Sequence, residues 1–294
     1  MRVVVDELKH SAEKEHYTVS ARIYIGDHLH KLYYKVPQGP VTAGADPFLT
    51  ATLIPAMKAG GPLQIKGPVS QRLMNTIPKI QEIFHAWYPE FQKIQVEAED
   101  KTFPESSLKR GVGSFFSAGI DSFYTLLKHR DEITHLIFVH GFDVELDHAS
   151  LRARASKELR QIATDMGKSL IEVETNAREF GDQYVNYGKH YHGATLASVA
   201  LLLTPQLSKV YIPSTYPYAF LTAWGSHPML DPLWSTEDIE LIHDGCEANR
   251  LQKTACIASC DMAMRSLRVC WEAPLDEEGH AYNCGRDARN ACAP

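Results

Sequence analysis

The 294-residue chain carries 36 acidic and 30 basic residues, a formal net charge of −6, and 44% of it is hydrophobic. That balance describes a soluble globular protein, argues against a general nucleic-acid coat, and includes no run of about eighteen apolar residues such as a membrane span requires. The N-terminus puts Asp6 and Glu7 directly after a short apolar run and lacks the sections of a secretory signal, so a cytoplasmic protein is expected.

In chain order, residues 17–25 and 28–36 read as two strands joined by Gly26-Asp27, a pair suited to a tight hairpin turn. Leu73, Ile77, Ile80, Phe84 and Trp87 recur at helical spacing over 69–87, with Pro78 as a source of a kink. Residues 93–98 read as a strand, and the polar stretch 99–110, with Pro104, reads as a linker. A boundary near residue 107 follows, separating a smaller N-terminal β-rich α+β domain (1–107) from a larger domain (108–294). Beyond it, strands are expected at 112–116, 136–139, 170–173 and 209–212, alternating with helices at 121–129, 150–166 and 193–203. This is the pattern of a doubly wound parallel sheet of Rossmann-like type, with ligands at the carboxyl ends of its strands.

Ser117-Ala118-Gly119-Ile120-Asp121-Ser122 leads from the first of those strands into a helix. Amides of a small-residue loop, with the positive end of the following helix and the Ser117 and Ser122 hydroxyls, suit a pyrophosphate, and Asp121 makes sense there as a ligand of bridging Mg²⁺. The segment resembles the S-G-G-x-D-S loop of the PP-loop ATP pyrophosphatases, which cleave ATP to AMP and pyrophosphate while activating a substrate. Ala118 departs from that pattern, and its methyl is tolerated if the residue keeps a negative φ.

The second strand ends in His140-Gly141-Phe142-Asp143, where the resemblance implies contacts to adenine and ribose; Gly141 and Asp143 fit simple turn chemistry equally well. His192-Gly193 precede an apolar helix and are candidates to face nucleotide oxygens, with His192 as donor or proton carrier. His190-x-His192 lacks a third metal ligand. The Trp-, Gly- and Pro-rich run 214–237 reads as a substrate loop, in which His227 and Asp231 are candidate acid, base or orienting groups and Trp224 and Trp234 candidate walls.

All six cysteines follow residue 245, which points to metal binding or catalysis rather than a disulfide framework. Cys270 and Cys284 resemble the start of the C-x13-C-x2-C-x2-C zinc tail of the branch related to 7-cyano-7-deazaguanine synthase, but Asp287 and Asn290 stand where its second pair would be. One back-translation of the last residues regains Arg-Cys-Glu-Lys-Cys on deleting a single base, so a frameshifted remnant of a Zn²⁺ site is one expectation. The resemblance implies an enzyme that uses ATP and Mg²⁺ to activate a small-molecule substrate for amide, nitrile or thio-group formation. A nucleotide-binding subunit without turnover, a tRNA-thiolating enzyme and a metal-organised interaction protein are the alternatives; a homodimer is left open.

Overall fold

The computed structural model describes residues 2–13, 16–37, 39–100 and 110–268. Strands β1 (Val3–Glu13), β2 (His16–Ile25) and β3 (His28–Val36) open the chain as an antiparallel meander. Gly26, at φ +59°, supplies the left-handed residue that the β2–β3 turn requires. Val19, Ala21, Ile23, Leu32, Tyr34 and Val36 alternate onto one buried face, as the two-residue strand period dictates.

Helix α1 (Asp46–Ala59) follows, with Pro47 in its first turn, where a fixed φ and a missing N–H cost nothing, and Gly60 at φ +71° closing it. Next come β4 (Leu63–Val69), α2 (Gln71–Trp87) and β5 (Val96–Asp100). Ser70 caps α2 by accepting the Leu73 N–H at 3.0 Å, and Leu73, Ile77, Ile80 and Phe84 form its buried stripe despite Pro78.

The second half contains β6 (Gly111–Phe115), α3 (Ile120–Lys128), β7 (His135–His140), α4 (Ala149–Asp165), β8 (Ser169–Thr175), α5 (Ala177–Asp182), a π-helical turn (Tyr187–Tyr191), α6 (His192–Leu202), β9 (Leu207–Pro213), β10 (Glu240–Asp244), α7 (Arg250–Ile257) and α8 (Asp261–Ser266). Its strands lie in the order β10-β9-β6-β7-β8, all parallel. The chain winds outward from β6 to β8, then returns to place β9 on the other side of β6, so the order reverses between β6 and β9. A crevice opens at the carboxyl ends of the two strands flanking such a reversal, because their connections leave to opposite faces.

One sheet runs through both halves of the chain. Strand β8 pairs antiparallel with β3 through Tyr34–Thr175 and Lys35–Glu174, and the sheet continues through β2, β1, β4 and β5. The larger apolar core also draws on both, with Phe48, Leu53 and Ile80 packed in one cluster with Val173, Ala197 and Leu201. A second cluster under α3, α4, α7 and α8 fills the opposite face of the parallel strands. The division expected near residue 107 lies outside the described residues, as do Cys270, Cys284, Asp287, Asn290 and the whole zinc-tail expectation.

Candidate functional site at the strand-order reversal

Loop 116–119 leaves β6 beside β9, at the reversal point, and turns into α3. Phe116 still donates its N–H to Ile137 O at 2.8 Å, so the strand hydrogen-bonding ends where the loop begins. Ala118 is fully buried with φ +59°. The condition under which its methyl would be tolerated, a negative φ, is not met: the turn needs a left-handed residue, which glycine adopts freely and alanine only against its own Cβ. The Ala118 carbonyl accepts the N–H of Arg268 at 2.8 Å.

Gly119 is the N-cap of α3 and offers no capping side chain. No side chain caps the first-turn amides, which carry the positive end of the helix. Ser117 is half-buried, Ile120 packs into the core under α3, and the Ser122 hydroxyl donates back to Gly119 O at 3.0 Å.

Asp121 does not stand as an open carboxylate. Lys253 Nζ lies 2.9 Å from one oxygen and Arg250 Nη1 3.4 Å from the other. Lys253 is only 1% exposed, and its ammonium also donates to Ser214 O at 2.5 Å at the end of β9. A capping box between Asn249 and Gln252 starts α7 and aims Arg250 and Lys253, in its first turn, back at the loop. One buried ammonium thus ties the two strands flanking the reversal, and two cations balance Asp121. This charge arrangement fits a polyphosphate; a Mg²⁺ on Asp121 would have to displace the longer contact to Arg250.

A second group of polar side chains lines the same edge. Asp231 is fully buried and accepts from Ser226 Oγ at 2.6 Å and from His227 N–H at 3.3 Å, while His243 Nδ1 lies 2.7 Å from it. Burial alone would lower the His243 pKa, but the hydrogen bonds with Asp231 and Cys246 and their negative charge raise it to about 9. His192 faces Asp143, Asp231, Arg178 and His243; burial pushes its pKa down against the pull of the two carboxylates.

Several of the other expected residues do not reach the reversal, while Gly141 and Asp143 take the turn role that the sequence allowed. His140 does not face the reversal: period two turns it under α4, where Nε2 meets Glu172 at 3.2 Å and Ser156 at 3.2 Å. There it lines a surface cleft of about 340 Å³ with Arg152, Arg160 and Glu174. Gly141, at φ +100°, serves the turn, since a Cβ would lie 2.0 Å from Thr175 O. Asp143 is exposed at the end of that turn. The Gly193 N–H is taken by Gly225 O at 3.1 Å, so it is not offered to a nucleotide; what the glycine provides is room, because a Cβ would meet that oxygen at 2.3 Å. His227 is buried against Trp87, with ring centroids 4.8 Å apart, and its Nδ1 accepts Met229 N–H, which makes it a turn former. Trp224 packs edge-on to Tyr216, and Trp234 is buried.

Sequence reasoning missed Lys253, Arg250 and His243. The available signal was Ile239-Glu-Leu-Ile-His243-Asp-Gly245-Cys246, a short apolar run ending in glycine, which marks a fifth parallel strand and thus another loop at the ligand edge. Among the described residues, Glu145, Asp147 and His148 bring metal-ligating atoms together, but on the exposed surface.

Comparison with models of known families, with curated proteins and with solved structures gives no match. The fold and site define a mixed α/β protein with a ten-stranded, mostly parallel sheet flanked by helices, in which polar side chains collect at the carboxyl edge of the parallel half.

Proposed function

We propose that the protein binds Mg·ATP at the crevice between β6 and β9 and activates a small-molecule substrate with release of pyrophosphate. The observation that carries this reading is Lys253, a buried ammonium at the strand-order reversal, joined to Asp121 of the loop and Ser214 of the neighbouring strand. Burying an ammonium is costly unless it is paired; Asp121 and Ser214 O pair it here, and it stands beside a helix N-terminus that no side chain caps, where a triphosphate would share it. The amides of residues 119–121 would hold phosphate oxygens, Lys253 and Arg250 would balance their charge, and Asp121 would turn to the metal. Bound ATP supplies the leaving pyrophosphate; the chain's own share is to orient it and to stabilise the charge that develops on it.

Calorimetric titration with Mg²⁺ and a non-hydrolysable ATP analogue tests this reading. Binding is expected in the wild type and is expected to weaken at least tenfold in Arg250→Ala, whose side chain is partly exposed and not needed for the core. A wild type that ignores the analogue at millimolar concentration would sink the proposal. A protein that binds it but releases no pyrophosphate from ATP, with candidate carboxylates present, would be a nucleotide-binding subunit instead.

A further inference from the structure

Strand β3 joins β8 through two residue pairs, Tyr34–Thr175 and Lys35–Glu174. Pro37 follows, and a proline has no N–H with which to carry the ladder further. The β3 side of β8 is left open at Glu172, and the surface cleft of about 340 Å³ lies there. Register sets its floor. Lys35 stands beside Glu174 and Glu174 beside His140, while Glu172, two residues back along β8, shares their face. The wall is α4, whose Arg152, Ser156 and Arg160 recur every four residues on one side of the helix.

Two ion pairs cross from wall to floor, Arg152 to Glu174 and Arg160 to Glu172, and each cancels its own charge. Lys35 has no such partner among the described residues, so the cleft keeps a positive charge. Two more polar atoms on its lining side chains are buried without a hydrogen-bond partner, Arg152 Nε and His140 Nδ1. His140 is 6% exposed. Its Nε2 meets the Glu172 carboxylate, which only accepts, so the proton of that bond sits on Nε2 and leaves Nδ1 of the neutral ring as an acceptor. Pairing within the fold accounts for the two carboxylates; it does not account for a spare ammonium and two buried nitrogens without partners beside them.

We propose that this cleft binds a small phosphorylated polyol, of the sugar-phosphate class, at a place separate from the crevice between β6 and β9. A carboxylate ligand is held best by a guanidinium fork, and both forks are occupied. Arg160 gives Nε and Nη2 to Glu172, and Arg152 gives Nη1 to Leu146 O and Nη2 to Glu174. What remains are single donors, the Lys35 ammonium, Arg152 Nε and Arg160 Nη1, spread over floor and wall, which suits the tetrahedral oxygens of a phosphate group. The acceptors, Glu172, Glu174 and His140 Nδ1, suit hydroxyl groups rather than a second anion. A volume of about 340 Å³ is at the small end for a ligand pocket and favours one sugar unit over a nucleotide. Lys35 comes from the first half of the chain and α4 from the second, so the ligand spans their junction.

The test uses the full chain without nucleotide. Ribose 5-phosphate and glucose 6-phosphate are titrated calorimetrically, with inorganic phosphate and free ribose beside them. At least one ester is expected to bind, and more tightly than either simpler compound. Lys35→Met breaks no ion pair, and Arg152→Lys keeps a cation toward Glu174 while removing the Nε donor; each is expected to weaken the binding about tenfold. No binding of either ester at millimolar concentration overturns the proposal, as does unchanged affinity in either variant. Free ribose or inorganic phosphate binding as tightly as the esters overturns it too, since the site would then not read both parts of the ligand. Binding lost in Arg250→Ala but kept in Lys35→Met would put the phosphate at the strand-order reversal and also overturn it. Neither ester carries adenine or a triphosphate, so ATP binding is decided by its own titration.

Discussion

Ala118 shows how much a single methyl group can weigh. At φ +59° its Cβ crowds its own backbone, a cost that glycine does not carry. Ala118→Gly is therefore expected to stabilise the protein by about 1 kcal/mol, less the greater freedom glycine has in the unfolded chain. A higher urea midpoint at unchanged slope would show it. The site residue Lys253 has the opposite sensitivity. Replacing it with Met leaves Asp121 facing Arg250 alone and Ser214 O without its donor, and should cost about 3 kcal/mol, the lower end for breaking a buried ion pair because Asp121 keeps some solvent. Unfolding in urea measures that cost apart from any effect on nucleotide binding.

Among the elements, α4 on β8 makes the pH dependence explicit. Arg152, Ser156 and Arg160 recur every four residues on α4 and meet Glu174, His140 and Glu172 below. Burial pushes the Glu172 carboxyl up, but hydrogen bonds from His140, Ser156 and Arg160 outweigh it and hold it at about 2. A folded pKa below the unfolded one stabilises the protein above the ordinary carboxylate range, and the gain fades as pH falls from there toward 2. Removing it with Glu172→Gln is expected to cost about 3 kcal/mol at pH 7 and much less near pH 3, which unfolding at the two pH values would check. The strands and helices with clean periodicity are legible in the sequence: α2, β2, β3, and the β6-to-β9 series all lie within a few residues of their expected bounds. Helix α1 is not, because it is buried on every side and carries Pro47 and Pro55, so it shows neither an apolar stripe nor an unbroken helical composition. Strand β10 escapes notice because the irregular loop that leads into it masks a run of only five residues.

Across the whole molecule, the sheet and the larger core run through both halves of the chain. Tyr34 donates to Ser198 at 3.0 Å, Tyr191 to Ala51 O at 2.5 Å and Ser70 to Glu237 at 2.5 Å, each a buried or half-buried link between the first hundred residues and the rest. A single cooperative unfolding transition is expected, with calorimetric and van't Hoff enthalpies in agreement; two separable transitions would show the halves to be independent units. The sequence alone determined the α/β class, the alternation of the parallel half and the strand-loop-helix at residues 117–122, because these are written in local periodicity and in small residues that only certain turns accept. Tertiary structure decided which charges meet there. Lys253, 132 positions from Asp121, His243 and the joining of β3 to β8 depend on contacts between segments far apart in the chain, and no local pattern encodes a partner that only folding brings near.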